Sequence, residues 1–123
     1  MLTVINLLAH SCKNQSIYLL SVSPDSIKFP SINLDTLKPT KDISVKKIIE
    51  KLYSQHIVLD YNWAQPKLLD IDMFLSEEEL LQTHIFYSCY IPYDTTIKDS
   101  SWVIADDLIP YSNILKKALL CST

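Results

Sequence analysis

Fourteen carboxylates, three histidines and three cysteines are the side chains of this sequence that could act as acids, bases, nucleophiles or metal ligands. Asp70 and Asp72 stand two apart, so on a strand they share one face. With Glu77, Glu78 and Glu79 they offer a divalent-cation site made of hard oxygen donors. The ordinary alternative is a solvated strand end followed by an acidic turn. Asp106 and Asp107 read similarly, as cap or turn residues ahead of Leu108 and Pro110. Cys12, Cys89 and Cys121 are odd in number and widely spaced. They form no CxxC or Cys/His zinc pattern and too few pairs for a disulfide scaffold. Reduced thiols in the cytoplasm or another reducing intracellular compartment are expected. His10, His56 and His84 are dispersed. His84 and Cys89 lie five residues apart, which on one strand turns their side chains to opposite faces. A dyad of Cys12 with His84 has no flanking motif in its support.

The residues that are missing narrow the chemistry further. The chain contains no glycine and no arginine. Glycine reaches positive φ and lets the backbone approach a phosphate closely. Glycine-rich phosphate loops, dinucleotide fingerprints and nucleophile elbows are therefore excluded, and no cofactor is expected. Without arginine there is no bidentate fork for carboxylate or phosphate. The net charge of −3 gives no electrostatic drive toward nucleic acid or anionic lipid. Lysines are scattered apart from the pairs Lys46–Lys47 and Lys116–Lys117. Tyr18, Tyr53, Tyr61, Trp63, Tyr87, Tyr90, Tyr93, Trp102 and Tyr111 could stack bases. Lacking a cationic groove beside them, they favour core packing and protein contact instead.

The elements that must position these residues follow from periodicity. Leu2–Ala9 and Ile17–Val22 are rich in Ile, Leu and Val and predict a hairpin with Lys13–Ser16 as a loop of moderate length. The apolar start lacks a basic region and is interrupted by Asn6 and His10, so it reads as a first strand rather than a signal peptide. Ser23–Ser26 predicts a turn, and Ile27–Leu34 an edge or irregular strand because of Pro30. After a polar loop over Asp35–Asp42, Val45, Ile48, Ile49, Leu52 and Tyr53 recur at helical spacing, with Asp42 or Ser44 as the cap. Lys46, Lys47, Glu50 and Lys51 fall on its solvated side. Ile57–Tyr61, Lys67–Phe74, Leu81–Tyr93 and Trp102–Ala105 predict strands, the third of them long, central and buried on both faces. A closing helix is expected near Ser112–Leu120. No stretch approaches the ~20 apolar residues of a membrane span. The reading is one α+β domain over residues 1–123, with a mixed or antiparallel sheet, a central helix and a C-terminal helix.

That order, with the C-terminal segment WVIADDLIPYSNILKKAL, resembles the Nudix fold, an α/β/α sandwich. Trp102, Val103, Asp107 and Leu108 stand where family members carry a Trp-hydrophobic segment and an acidic-Leu pair before the closing helix. Lys28-Phe29-Pro30 is similar to the Leu-Pro ahead of the family's glycines. The Ser44–His56 helix, followed by Ile57, lies where the catalytic-box helix belongs. The box itself departs from the family pattern. With its final apolar position set on Ile57, Asp35 takes the place of the first glycine and Lys41 that of the first glutamate. Ile49 replaces the arginine, Glu50 retains the adjacent glutamate, Tyr53 and Ser54 replace the two metal-binding glutamates, and His56 replaces the last glycine. No second acid lies between Val45 and Leu59.

Magnesium-assisted hydrolysis of a diphosphate needs several hard oxygen ligands and an activated water. One glutamate on a helix otherwise bearing lysines does not supply them. The resemblance therefore implies a pseudoenzyme: a non-catalytic scaffold or binding subunit without metal, working with a protein partner or a second copy. Glu50 is the single acid matching the box. The alternative is a divalent-metal-dependent nucleoside diphosphate hydrolase with relocated acids, Glu50 working with Glu77, Glu78 or Glu79. The joint absence of glycine and arginine, whose codons are partly G-rich, suits an AT-rich genome such as that of a small virus, a symbiont or an organelle; in a virus, a structural or host-interacting subunit would be at home.

Overall fold

Strand β1 (Leu2–Lys13) is the axis of the molecule, with seven successive buried residues from Ile5 to Ser11. Such a run is what a strand covered on both faces requires. The computed structural model describes residues 2–25, 27–36, 44–75 and 78–105. Within them, β2 (Ser16–Ser21) and β3 (Ser31–Asn33) share one edge of β1, both antiparallel. On its other edge β1 runs parallel to β5 (Leu81–Tyr90), in register from Leu2↔Gln82 to His10↔Tyr90. Strand β4 (Lys67–Leu75) pairs antiparallel with β5, and β6 (Ser101–Ile104) with β2, giving the order β4-β5-β1-β2-β6.

Helix α1 (Val45–His56) lies on one face of this mixed sheet. Its Ile48, Ile49, Leu52 and Tyr53 pack with Ile5, Leu7, Ala9, Leu20, Cys89 and Ile91. Burying a side chain of this size contributes roughly 1.5–3 kcal/mol, so this seam carries much of the stability. Ser44 caps the helix, its Oγ accepting from the Lys47 N–H at 3.2 Å. On the opposite sheet face, Leu8, Leu19, Phe29, Phe86 and Ala105 form a second cluster, with Phe29 edge-on to Phe86.

The α+β class and the helix are as expected; its stripe is buried at Ile48, Ile49, Leu52 and Tyr53 but not at Val45, which stands exposed in the first turn, and four predicted elements differ. Ile57–Tyr61 is no strand. Ile57 makes a single bridge to Ile97, and the chain then enters a one-turn helix, α2 (Tyr61–Ala64), because the Asp60 carboxylate accepts from the Asn62 N–H at 2.8 Å. The third extended piece is a strand over Ser31–Asn33 alone, followed by a 3-10 turn at Leu34–Thr36. The long strand ends at Tyr90, short of Pro92, and lies between β4 and β1 rather than at the centre. The predicted loop of moderate length at Lys13–Ser16 is tight: Lys13 pairs with Ser16, leaving Asn14 and Gln15 as a two-residue turn. The closing helix, with Asp106, Asp107 and Cys121, lies outside the described residues.

The hairpin shows how a chain without glycine turns. Asn14 and Gln15 have φ of 51° and 66°, and Gln65, Glu79 and Asp99 are also left-handed. A left-handed conformation costs an L-residue about 1–2 kcal/mol, less for Asn and Asp. Gln15→Gly, which creates the Asn-Gly pair favoured in such hairpins, should raise unfolding free energy by about 1 kcal/mol. Urea denaturation reads this directly, and no change would mean the turn is unstrained.

Candidate functional site

Five of the box positions, Ile49, Glu50, Tyr53, Ser54 and His56, sit on α1, and the helix sorts them by periodicity. Glu50 is exposed, on the side away from the sheet. Its charge reaches Tyr61, whose phenol is held above its ordinary pKa first by burial and then by Glu50. Tyr53 points the other way and is 1% exposed. Its ring meets Tyr61 edge-on at 5.5 Å, and its hydroxyl donates to the Asp60 carbonyl at 3.5 Å. Burial pushes the Tyr53 phenol up to about 12, so it remains neutral. Ser54 Oγ donates to the Glu50 carbonyl at 2.8 Å, one turn back. Ile49 is in the core, His56 Nδ1 lies 3.1 Å from the Lys98 carbonyl oxygen, and exposed Asp35 lies beyond β3. Lys41 lies outside the described residues.

Asp70 and Asp72 do share a face, paired across to Phe86 and His84. Asp70 Oδ1 accepts from the Ile71 N–H at 2.9 Å. Glu78 and Glu79 are exposed between β4 and β5, and Glu77 lies outside the described residues. Glu50 is not brought to Glu78 or Glu79. It lies near Tyr61, which packs by Tyr87 and Cys89, whereas these acids precede Leu81 at the other end of β5. Leu81 to Tyr87 spans roughly 20 Å at ~3.3 Å per residue. Among the described residues, no three His, Cys, Asp or Glu side chains come together.

Cys89 is buried against α1, and burial pushes its thiol up to about 12, which suits packing rather than nucleophilic attack. His84 is on the opposite sheet face, as the spacing implies. Cys12 is exposed, and the β1 residue paired with His84 is Val4. Eight residues of strand, roughly 26 Å, separate Val4 from Cys12. No Cys–His dyad forms among these residues.

His84 instead belongs to a polar group that sequence reasoning did not find. The Asn6 amide donates to its Nδ1 at 3.1 Å, which leaves the proton on Nε2, 3.1 Å from the Gln82 Oε1. Burial lowers its pKa, opposed by Asp72. Asn6 and His84 are 78 residues apart, and only the parallel pairing of β1 and β5 joins them. Further along, at the C-terminal ends of these strands, a cleft of about 230 Å³ is lined by His10, Gln65, Lys67, Ser88 and Tyr90 among others. The aromatic residues pack on one another: Tyr93 lies 5.0 Å from Tyr18 and stacks on Trp102 at 6.0 Å, with Lys13 Nζ over its ring.

No protein-family model matches the chain, and no curated protein is similar to it in sequence. Solved structures are similar in architecture. The NUDIX domain of Shewanella oneidensis NrtR, complexed with ADP ribose, aligns over 98% of this chain and 88% of its own, with 11% identity and a TM-score of 0.65. C. elegans Ap4A hydrolase aligns over 100% and 99%, with 9% identity and a TM-score of 0.65. The fold is Nudix-like. A chain in the complex between the C-terminal domain of mouse MUTYH and human PCNA also matches, over 99% of this chain and 90% of its own, at 14% identity and a TM-score of 0.64. Identities this low establish the fold alone.

On this Nudix-like frame, the α1 residues do not fit a magnesium ion. That ion takes octahedral oxygen ligands at about 2.0–2.1 Å. Of the three side chains at the family's acidic helix positions, Glu50 is a carboxylate, Tyr53 is a neutral phenol turned into the core, and the Ser54 hydroxyl is engaged with its own helix.

Proposed function

We propose that this chain is a non-catalytic Nudix-like scaffold or binding subunit acting in a protein assembly. The observation that carries this reading is Tyr53. Where the family offers a metal-binding carboxylate, this helix sends an aromatic ring into the hydrophobic seam, where it holds α1 and α2 together. The position serves packing rather than a ligand. The mild charge and absence of arginine favour protein surfaces over nucleic acid as partners. A chain of this fold stands in the protein–protein complex of MUTYH and PCNA.

The hydrolase alternative draws support from the likeness to Ap4A hydrolase. The two readings part on Glu50. Purified protein incubated with magnesium and either ADP-ribose or diadenosine tetraphosphate should show no turnover above background. Glu50→Gln should leave stability within about 0.5 kcal/mol, as exposed substitutions do. Magnesium-dependent turnover that disappears in the Glu50→Gln variant would establish the hydrolase. Native mass spectrometry of the protein from its own source should find it in a heteromer or stable oligomer without nucleotide.

A further inference from the structure

Over residues 70–73 strand β4 alternates acidic and apolar residues, a pattern that ordinarily turns the apolar face inward. Here that face is in solvent. Leu68, Ile71 and Met73 are each more than half exposed, and Leu75 is 71% exposed. Helix α1 packs on the same sheet face chiefly over β1 and β3. Strand β4 is also an edge strand: among the described residues, no strand pairs with its outer side. After the irregularity between Leu68 and Asp70, six residues from Asp70 to Leu75 run in regular register against β5. An exposed, regular, apolar edge is a template for another strand.

We propose that this edge docks an extended segment of another protein that alternates apolar and basic residues. The inference rests on the assembly reading above and names its partner by chemistry. An added strand would satisfy the outer backbone groups of β4, bring apolar side chains onto Ile71, Met73 and Leu75, and present its alternate residues beside Asp72 on the other face. Glu78 and Glu79, exposed just beyond the strand, extend the negative field along its path. Basic residues complement that field. A second copy of this chain does not: antiparallel self-pairing centred on Ile71, the middle of β4, sets Asp70 against Asp72 of the other copy twice. Like charges directly opposite destabilise a strand pair. The same acids that admit a basic segment therefore discourage self-association.

The test uses two capped nine-residue peptides, one alternating valine with lysine and one alternating valine with glutamate. Binding to the full chain is followed by fluorescence anisotropy and by amide hydrogen exchange. The lysine peptide should bind at least tenfold more tightly than the glutamate peptide and protect amides within 67–75. Asp72→Lys combined with Glu79→Lys should reverse that preference, and Met73→Lys, at an exposed position that leaves folding intact, should weaken both. Equal affinity, protection elsewhere, no binding, or a dimer with β4 amides already protected would each overturn the proposal. The assembly reading fails separately. A native heteromer that survives Met73→Lys leaves it standing while removing β4, whereas Glu50-dependent hydrolysis removes it whatever the peptides do.

Discussion

Tyr53→Glu, the substitution that formally returns a carboxylate to the Nudix-like helix, should unfold this protein rather than create a metal site. Tyr53 is 1% exposed among Ile49, Leu52, Cys89 and Ile91. Removing a buried aromatic side chain costs about 3–5 kcal/mol, and the new carboxyl must lose its hydration as well. A domain has only about 5–15 kcal/mol to lose. The guanidinium midpoint, read from Trp63 and Trp102 fluorescence, should collapse, and a magnesium titration by calorimetry should be silent. Two controls separate packing from chemistry. Tyr53→Phe should stay within about 0.5 kcal/mol, because it forfeits only a long hydrogen bond to Asp60. Ser54→Glu, on the exposed side, should be similarly neutral. A Tyr53→Glu protein as stable as the parent that takes up magnesium would show the position to be a ligand site after all, and the scaffold reading would fall.

Mild acid should destabilise the protein through its buried histidines. Burial holds the His10 pKa below the ordinary 6.5, with a hydrogen bond to the Leu8 backbone opposing. His84 is lowered in the same way. In the unfolded chain these rings take a proton near pH 6.5, and in the folded protein they do so only at lower pH. The unfolded state therefore binds more protons in the window between. Stability is fully present above about pH 6.5 and is lost as pH falls toward the folded values, by at most about 1.4 kcal/mol per pH unit for each histidine. Urea midpoints at pH 7.5 and 5.5 should show the decline. His10→Phe, which keeps a ring beside Tyr90, should make it shallower, leaving the part due to His84. A decline of the same size in parent and variant, or a gain on acidification, would rule out His10 as its source.

The elements legible beforehand were those with a local signature. Helix α1 was readable because apolar residues at three- and four-residue spacing must face one way, and Ser44 was one of two readable caps, with Asp42. The two-faced run of β5 was readable as an interior strand, and that of β1 only as the first strand of a hairpin. Misread segments had competing local chemistry. Ile57–Tyr61 looks β-like by composition, yet Asp60 caps a turn that pulls Tyr61 onto Tyr53. Asn14-Gln15 looks too poor in glycine for a tight turn, yet the pairing of β1 with β2 holds both residues left-handed.

Alone, the sequence determined the helix, the interior strand, the sign of the charge and the lack of a second acid on α1, since each is a property of side-chain type and local spacing. Only the tertiary structure decided that Tyr53 meets Tyr61, that Asn6 meets His84, that Glu50 lies far from Glu78 and Glu79, and that the apolar face of β4 is left in solvent. Those outcomes depend on which strands become neighbours. Periodicity says which face of an element is apolar; pairing between distant segments decides whether anything covers it.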